Sequence, residues 1–200
     1  MFNNSSTALI VFIKNPQKGK VKTRLAATVG DDKALAIYKA LMDHTRHIAL
    51  ATDAQRLLFY SQQINSKDNW SNQDFIKHLQ TEGNLGIKMK AAFQTAFQNA
   101  DKVIIIGSDC ASLSPDIITE AFAKLETHDF VIGPAMDGGY YLLGMNNYEP
   151  AVFEEISWST ESVLKETIRV IETMDKSYTL LVELSDIDYE EDWIKWGWEL

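Results

Sequence analysis

Val103-Ile104-Ile105-Ile106-Gly107-Ser108-Asp109-Cys110 is the stretch whose reading decides the fold. Four branched apolar residues in a row predict a strand buried on both faces, the usual state of a central parallel strand. Gly107 allows a sharp turn, so Ser108 and Asp109 emerge at the strand's carboxyl end, the edge where open α/β sheets bind ligands. Ser114-Pro115-Asp116 then supplies an N-cap residue, a proline at the first helical position and an acid in the first turn. Asp109 therefore lies on a short strand-to-helix loop. Two roles suit it there: a loop carboxylate accepting backbone N–H groups, or a ligand for Mg²⁺ or Mn²⁺ beside a phosphate.

Working outward, Thr7–Ile13 is apolar throughout and predicts a second central strand. A loop follows over Lys14-Asn15-Pro16-Gln17-Lys18-Gly19-Lys20, and a helix from about Asp31 carries Leu35, Tyr38, Leu41, Met42, Thr45, Ile48 and Ala49 at helical spacing. Further strands are predicted at Arg56–Ser61, Phe75–Leu79, Asp129–Gly133, Tyr140–Met145 and Thr179–Leu184. Helices are predicted after Gly83-Asn84-Leu85-Gly86 (with Ile87 on its core face), over Ser114–Glu126, over about Thr160–Met174 and over Tyr189–Leu200. Polar residues 62–73 read as a surface loop or mobile flap. Alternating strands and helices make an α/β fold with a mainly parallel sheet, and residues 1–200 read as a single domain.

The net charge of −9 argues against a nucleic-acid partner. Its distribution is more telling. Lys14, Lys18, Lys20, Lys22 and Arg24 fall within the first 30 residues, and all 28 acidic residues lie beyond them. A basic loop on an acidic chain is either a solvated face or a local anion site. The lone Cys110 excludes an intramolecular disulfide and suits a reducing compartment. No segment reaches membrane-spanning length, so the expected location is the cytoplasm.

Three further constellations carry chemistry. Lys18-Gly19-Lys20-Val21-Lys22-Thr23-Arg24 follows the first strand, and glycine with Lys and Arg can cradle phosphate oxygens, although the spacing is not that of a Walker A loop. Asp137-Gly138-Gly139 between two strands reads as a hairpin turn, and equally as backbone passing close to a sugar or phosphate. Asp188, three residues before Glu191, reads as the start of a capping box, or as a second metal ligand facing Asp109.

Together the motifs carry a resemblance. Lys14-x-Pro16…Gly19-x-Val21-Lys22-Thr23-Arg24-Leu25, Gln80-x-x-Gly83-x-Leu85-Gly86-x-x-Met89, Gly107-Ser108-Asp109-Cys110, Gly133-Pro134-Ala135-x-Asp137-Gly138-Gly139-Tyr140-Tyr141-Leu142, Trp158-Ser159-Thr160 and Asp186-Ile187-Asp188…Asp192 occur in this order. The chain resembles the GT-A-type nucleotide-diphospho-sugar transferase superfamily and its bacterial glycosyltransferase A-like family, with molybdenum-cofactor nucleotidyltransferases and 2-phospholactate guanylyltransferases as more distant relatives. Asn84 and Lys88 stand where that pattern more often has an acid and an arginine. Ala111 replaces a proline, and Tyr189-Glu190 a Thr-Pro pair.

The resemblance implies a three-layer α/β/α sandwich and a divalent-metal-dependent transferase using an activated nucleotide. A glycosyltransferase acting on a nucleotide-diphospho-sugar leads; a nucleotidyltransferase releasing pyrophosphate is the alternative, and a non-catalytic binding module comes from another class. It implies Lys14, Gly19, Lys22, Thr23, Arg24, Gly83 and Ser108 around the nucleotide and its phosphates, and Asp109 and Asp188 on Mg²⁺ or Mn²⁺. Asp137, Gly138, Gly139, Trp158, Ser159 and Thr160 fall on the sugar or acceptor side, with Asp109, Asp137 and Lys22 catalytic. The partners it implies are a nucleotide donor and a small-molecule acceptor, on a monomer or homodimer. A rival reading makes the tryptophan-bearing tail, Trp193, Trp196 and Trp198, a homodimer face.

Overall fold

The computed structural model describes residues 6–200. Its strands are β1 (Thr7–Ile13), β2 (Gln55–Tyr60), β3 (Ile76–Leu79), β4 (Lys102–Ile106), β5 (Phe130–Pro134), β6 (Tyr140–Met145) and β7 (Tyr178–Leu180). They form one sheet in the order β3-β2-β1-β4-β6-β5-β7. Only β6 runs antiparallel to its neighbours, entered through the Asp137-Gly138-Gly139 turn. Helices α1 (Thr23–Val29), α2 (Asp31–Ala51), α3 (Leu85–Ala96), α4 (Pro115–Lys124), α5 (Val163–Thr173) and α6 (Glu190–Trp196) complete the chain, with a 3₁₀ turn at Pro150–Phe153.

Side-chain alternation divides the core into two faces. Leu9, Val11, Ile13, Ile104 and Ile106 pack against Tyr38 and Met42 of α2 and Ile118 of α4. Ala8, Ile10, Val103 and Ile105 pack on the other face against Met89 and Phe93 of α3 and Ile171 of α5. Each of the four residues from Val103 to Ile106 is at most 4% exposed. At ~1.5–3 kcal/mol per buried branched side chain, this strand anchors both layers. A third cluster seats Leu25 of α1 on Ile37 and Leu41 of α2, with Trp193 and Trp196 of α6 packed against it. The result is the expected α/β/α sandwich.

The parallel strands bring their carboxyl ends to one edge. Ile13, Tyr60 and Ile106 end there, and the antiparallel β6 begins there at Tyr140. After β7 the chain continues along the same edge. Leu184 bridges Ala135, Asp186 bridges Cys110, and the Ile187 amide donates to the Asp109 carbonyl at 2.9 Å.

Several local expectations change. Helix α1 begins at Thr23, inside the stretch read only as a basic loop, because Leu25 supplies a buried anchor. The strand expected to reach Leu184 ends at Leu180; the Leu181 amide still donates to the Ile132 carbonyl, and the chain next meets β5 at Leu184, whose amide donates to the Pro134 carbonyl. Helix α5 starts at Val163, after a turn in which Ser159 is left-handed, φ 66°, and the Thr160 hydroxyl donates to the Ser157 carbonyl. Ile87 is 50% exposed rather than core-facing. The 62–73 segment is clasped at two points rather than free. Asn15 donates to Gln63 O and accepts from the amides of Gln62 and Gln63, and Asp68 pairs with Lys77 at 2.8 Å while accepting from Tyr60 Oη at 2.6 Å.

Candidate functional site

The loop between β1 and α1 is held from below by α2. The Tyr38 hydroxyl accepts the Lys14 amide at 2.8 Å and donates to the Lys14 carbonyl at 3.0 Å, with Ser108 Oγ at 3.3 Å. Farther along, Lys18 pairs with Asp32 at 2.7 Å, and Gly19 takes the left-handed backbone that its turn requires, φ 71°. Val21 is buried and pins the chain just before Lys22.

Lys22 is also left-handed, φ 48°, a conformation that a lysine seldom adopts. Its ammonium lies 2.8 Å from Asp109 Oδ1 and 3.6 Å from Asp188 Oδ1, on a side chain only 5% exposed. Arg24 takes the other Asp188 oxygen at 2.9 Å. Residues some 165 positions apart are thus joined, because the segment after β7 runs beside the loop after β4. Asp188 does not cap α6; its own amide and that of Tyr189 donate to the Asp192 carboxylate at 3.0 and 2.8 Å.

Electrostatics follow from this packing. Burial by itself would depress the Lys22 ammonium, but Asp109, Asp188 and Asp186 outweigh it and hold its pKa above the ordinary value. Asp186 behaves in the opposite way to a paired surface acid. Burial first, then the Asp109 charge, push its carboxyl up to about 7 against the opposing pull of Lys22. The Cys110 thiol is pushed up to about 12 by burial and by Asp186, which fits packing rather than nucleophilic chemistry.

Two adjoining cavities make the cleft. A polar one of about 350 Å³ is lined by Lys20, Lys22, Thr23, Arg24, Asp186 and Asp188. A more apolar one of about 380 Å³ is lined by residues including Phe12, Ile13, Met89, Ile105, Tyr140 and Tyr141, with Gln80, Lys88 and Ser108 as polar points. Lys14, Tyr38 and Asp109 line both. The Gln80 amide is fixed by its donors: Nε2 reaches the carbonyls of Ile13 at 3.2 Å and Phe59 at 3.1 Å.

Of the residues expected at a site, Lys14, Lys22, Thr23, Arg24, Ser108, Asp109 and Asp188 converge on this cleft. Gly19, Gly83, Asp137, Gly138, Gly139, Trp158, Ser159 and Thr160 line neither cavity. The close approach that Gly138 permits is to this chain's own backbone, since a Cβ there would stand 2.2 Å from the Glu161 carbonyl oxygen. Asp137 accepts the Gly139 amide at 2.9 Å, as in a tight turn. Trp158 lies over Gly86, where a Cβ would meet its indole nitrogen at 2.3 Å. Tyr38, Gln80 and Asp186 were missed as site residues. Only Gln80 and Asp186 had a signal, each opening one of the ordered motifs.

Among the described residues, no group of three or more His, Cys, Asp and Glu side chains is arranged to hold a metal ion by itself. Asp109 and Asp188 nevertheless suit a hard cation. Their oxygens already share one positive charge, the Lys22 ammonium, and Mg²⁺ commonly takes one or two carboxylates and completes its shell with substrate phosphates and water. No helix among the described residues is long and apolar enough to cross a membrane.

This sheet order, with a cleft at its carboxyl edge, is the nucleotide-diphospho-sugar transferase fold. Residues 43–160 match the family described as "Uncharacterized protein conserved in bacteria (DUF2064)", and the chain belongs to that family. A crystal structure from Desulfovibrio desulfuricans G20, described as a candidate nucleotide-diphospho-sugar transferase, is 30% identical with a TM-score of 0.86, over 92% of this chain and 83% of that one. The 4-diphosphocytidyl-2C-methyl-D-erythritol synthase of Anaerococcus prevotii shares the fold at 10% identity and a TM-score of 0.59, over 98% and 96% of the two chains. So does Rv0371c of Mycobacterium tuberculosis H37Rv, crystallised with manganese, at 12% identity and a TM-score of 0.53, over 94% and 96%. No curated protein matches the chain.

Proposed function

We propose that this chain is a divalent-metal-dependent transferase acting on an activated nucleotide, with a nucleotide-diphospho-sugar as donor. One observation carries the reading. A cluster of cations and carboxylates, Lys22, Arg24, Asp109 and Asp188, opens directly onto a more apolar cavity of about 380 Å³ through the shared residues Lys14 and Tyr38. The two halves match the two halves of a nucleotide, charged phosphates and a flat apolar base. The Desulfovibrio relative supports the donor class, and the manganese complex of the mycobacterial protein supports the metal.

Asp109 and Asp188 would hold Mg²⁺ or Mn²⁺, which supplies positive charge to the phosphate oxygens when bound. Lys20, Lys22 and Arg24 set further positive charge around the departing nucleoside diphosphate, where negative charge builds as the sugar–phosphate bond breaks. Lys14 and Ser108 face the nucleotide, and Gln80 offers its amide oxygen to the base, because both carbonyls that fix the amide use its nitrogen. Asp137, Gly138, Gly139, Trp158, Ser159 and Thr160 line neither cavity, and on this reading they meet only the part of the sugar or acceptor that extends beyond both.

A second reading, nucleotidyl transfer from a nucleoside triphosphate, is favoured by the four basic residues, Lys14, Lys20, Lys22 and Arg24, that line the polar cavity. The product separates the two. A thermal-shift panel of nucleoside di- and triphosphates and sugar conjugates, with and without Mn²⁺, names the donor. A ligand at ~100 times its dissociation constant adds ~2.7 kcal/mol. Release of nucleoside diphosphate supports glycosyl transfer, and release of pyrophosphate supports nucleotidyl transfer. Binding without either product would make the chain a binding module.

A further inference from the structure

We propose that Lys22 is an exchangeable internal cation: its ammonium holds Asp109 and Asp188 together and moves to the phosphates when a divalent cation takes its place. The inference rests on the reading that these two carboxylates are metal ligands, and goes beyond it by assigning Lys22 two alternating positions. Three observations carry it. The ammonium occupies the space between the two carboxylates, 2.8 and 3.6 Å from their oxygens, on a side chain 5% exposed. Asp186 also lines this cavity, so without a cation three acids would face one another. Finally, Lys22 stands immediately before α1 at the wall of the polar cavity, and its four-carbon stem allows the head to swing while the backbone stays fixed.

A dication and an ammonium cannot share those oxygens at contact distance without strong repulsion. Metal loading therefore requires Lys22 to leave, and a phosphate beside the metal gives the displaced ammonium its next partner. Free metal and free phosphate each bind weakly on this account, and their complex binds as a unit. Arg24, on the outer Asp188 oxygen and 66% exposed, can stay where it is.

The test uses Mn²⁺ alone, titrated into chelator-stripped protein and followed by the paramagnetic resonance of the free ion. Lys22→Met should bind Mn²⁺ at least tenfold more tightly than the wild type, and adding Asp109→Asn to that variant should abolish the gain. Lys22→Gly, whose residue suits the left-handed backbone, repeats the measurement should the methionine variant fold poorly. Amine acetylation read by mass spectrometry supplies a second arm on the wild type. Saturating Mn²⁺ should raise Lys22 labelling several-fold and leave Lys77 unchanged, a lysine similarly buried at 6% exposure on Asp68. If the Lys22 variants bind no tighter while Asp109→Asn weakens Mn²⁺ binding in the wild type, the metal reading stands and the exchange is overturned. If no variant binds Mn²⁺ at all, the metal reading falls and the exchange falls with it.

Discussion

Tyr38 and Lys14 are joined twice through one oxygen: the Tyr38 hydroxyl accepts the Lys14 amide and donates to the Lys14 carbonyl, at 2.8 and 3.0 Å. A side chain of α2 thereby completes the backbone pairing that β1 loses where it ends. The loop that leaves β1 starts from a fixed point, and both cavities of the cleft are built on it. Tyr38→Phe keeps the ring's packing and leaves the amide and carbonyl without their partner. Urea denaturation should show a loss of ~1–3 kcal/mol. Nucleotide affinity should fall with it, and a Tyr38→Phe protein of unchanged stability would mean that water replaces the hydroxyl.

Lys77 and Asp68 fasten the segment between β2 and β3, with side chains only 6% and 17% exposed. Lys77→Met leaves the Asp68 carboxylate in a partly buried position with no cation beside it, accepting only from the Tyr60 hydroxyl and the Trp70 amide. The expected cost is ~3–5 kcal/mol, the range for breaking one side of a buried pair. Limited proteolysis should then cut within residues 62–73, which the intact clasp protects.

Gly138 is held at φ 87°, with the Glu161 carbonyl oxygen 2.2 Å from where a Cβ would be. Neither partner is a flexible side chain, so Gly138→Ala must move backbone. We expect at least ~1–3 kcal/mol of destabilisation from overpacking. Gly30→Ala, also at positive φ but with nothing within 4 Å, is the control and should cost less. Equal melting temperatures for the two variants would contradict the packing described.

Asp186 gives the chain an unusual pH signature. Its carboxyl is raised from 3.8 to about 7 in the folded state. Between those values the folded chain keeps a proton that the unfolded chain has released, so stability from this group falls as pH rises. The slope is at most about 1.4 kcal/mol per pH unit, and the penalty is complete above about pH 7. Asp186→Asn removes the titration. Its stability relative to wild type should therefore improve from pH 5 to pH 8, as measured by denaturant midpoints across that range. A wild-type-like profile would show that Asp186 is charged throughout.

Much of the fold was legible because the central strands are apolar on both faces, with Gly107 closing β4 and Gly138-Gly139 opening β6. β4, β6 and the Ser114-Pro115 start of α4 needed only local chemistry. The misreadings share a physical origin in contacts that sequence spacing does not display. Ile87 has helical periodicity with the core positions, yet no layer lies against its side of α3. Asp188 has the spacing of a cap, but the cap falls one residue later, at Tyr189, whose amide donates to Asp192, and Asp188 is left to Lys22 and Arg24. The basic character of residues 18–24 was plain, whereas the carboxylates that hold two of those cations come from the loop after β4 and from the segment after β7.

The bridge between Cys110 and Asp186 also bears on how the protein is made. Synthesis proceeds from the amino end, and domains begin to fold as they emerge. All seven strands are available once residue 180 has been added, but Asp186 and Asp188 are not. Until then Lys22 has Asp109 as its sole carboxylate partner in the cluster, and Arg24 lacks Asp188. The sheet can therefore close around a nascent chain whose polar cavity is still missing one wall, so the cluster is completed after the sheet that carries it.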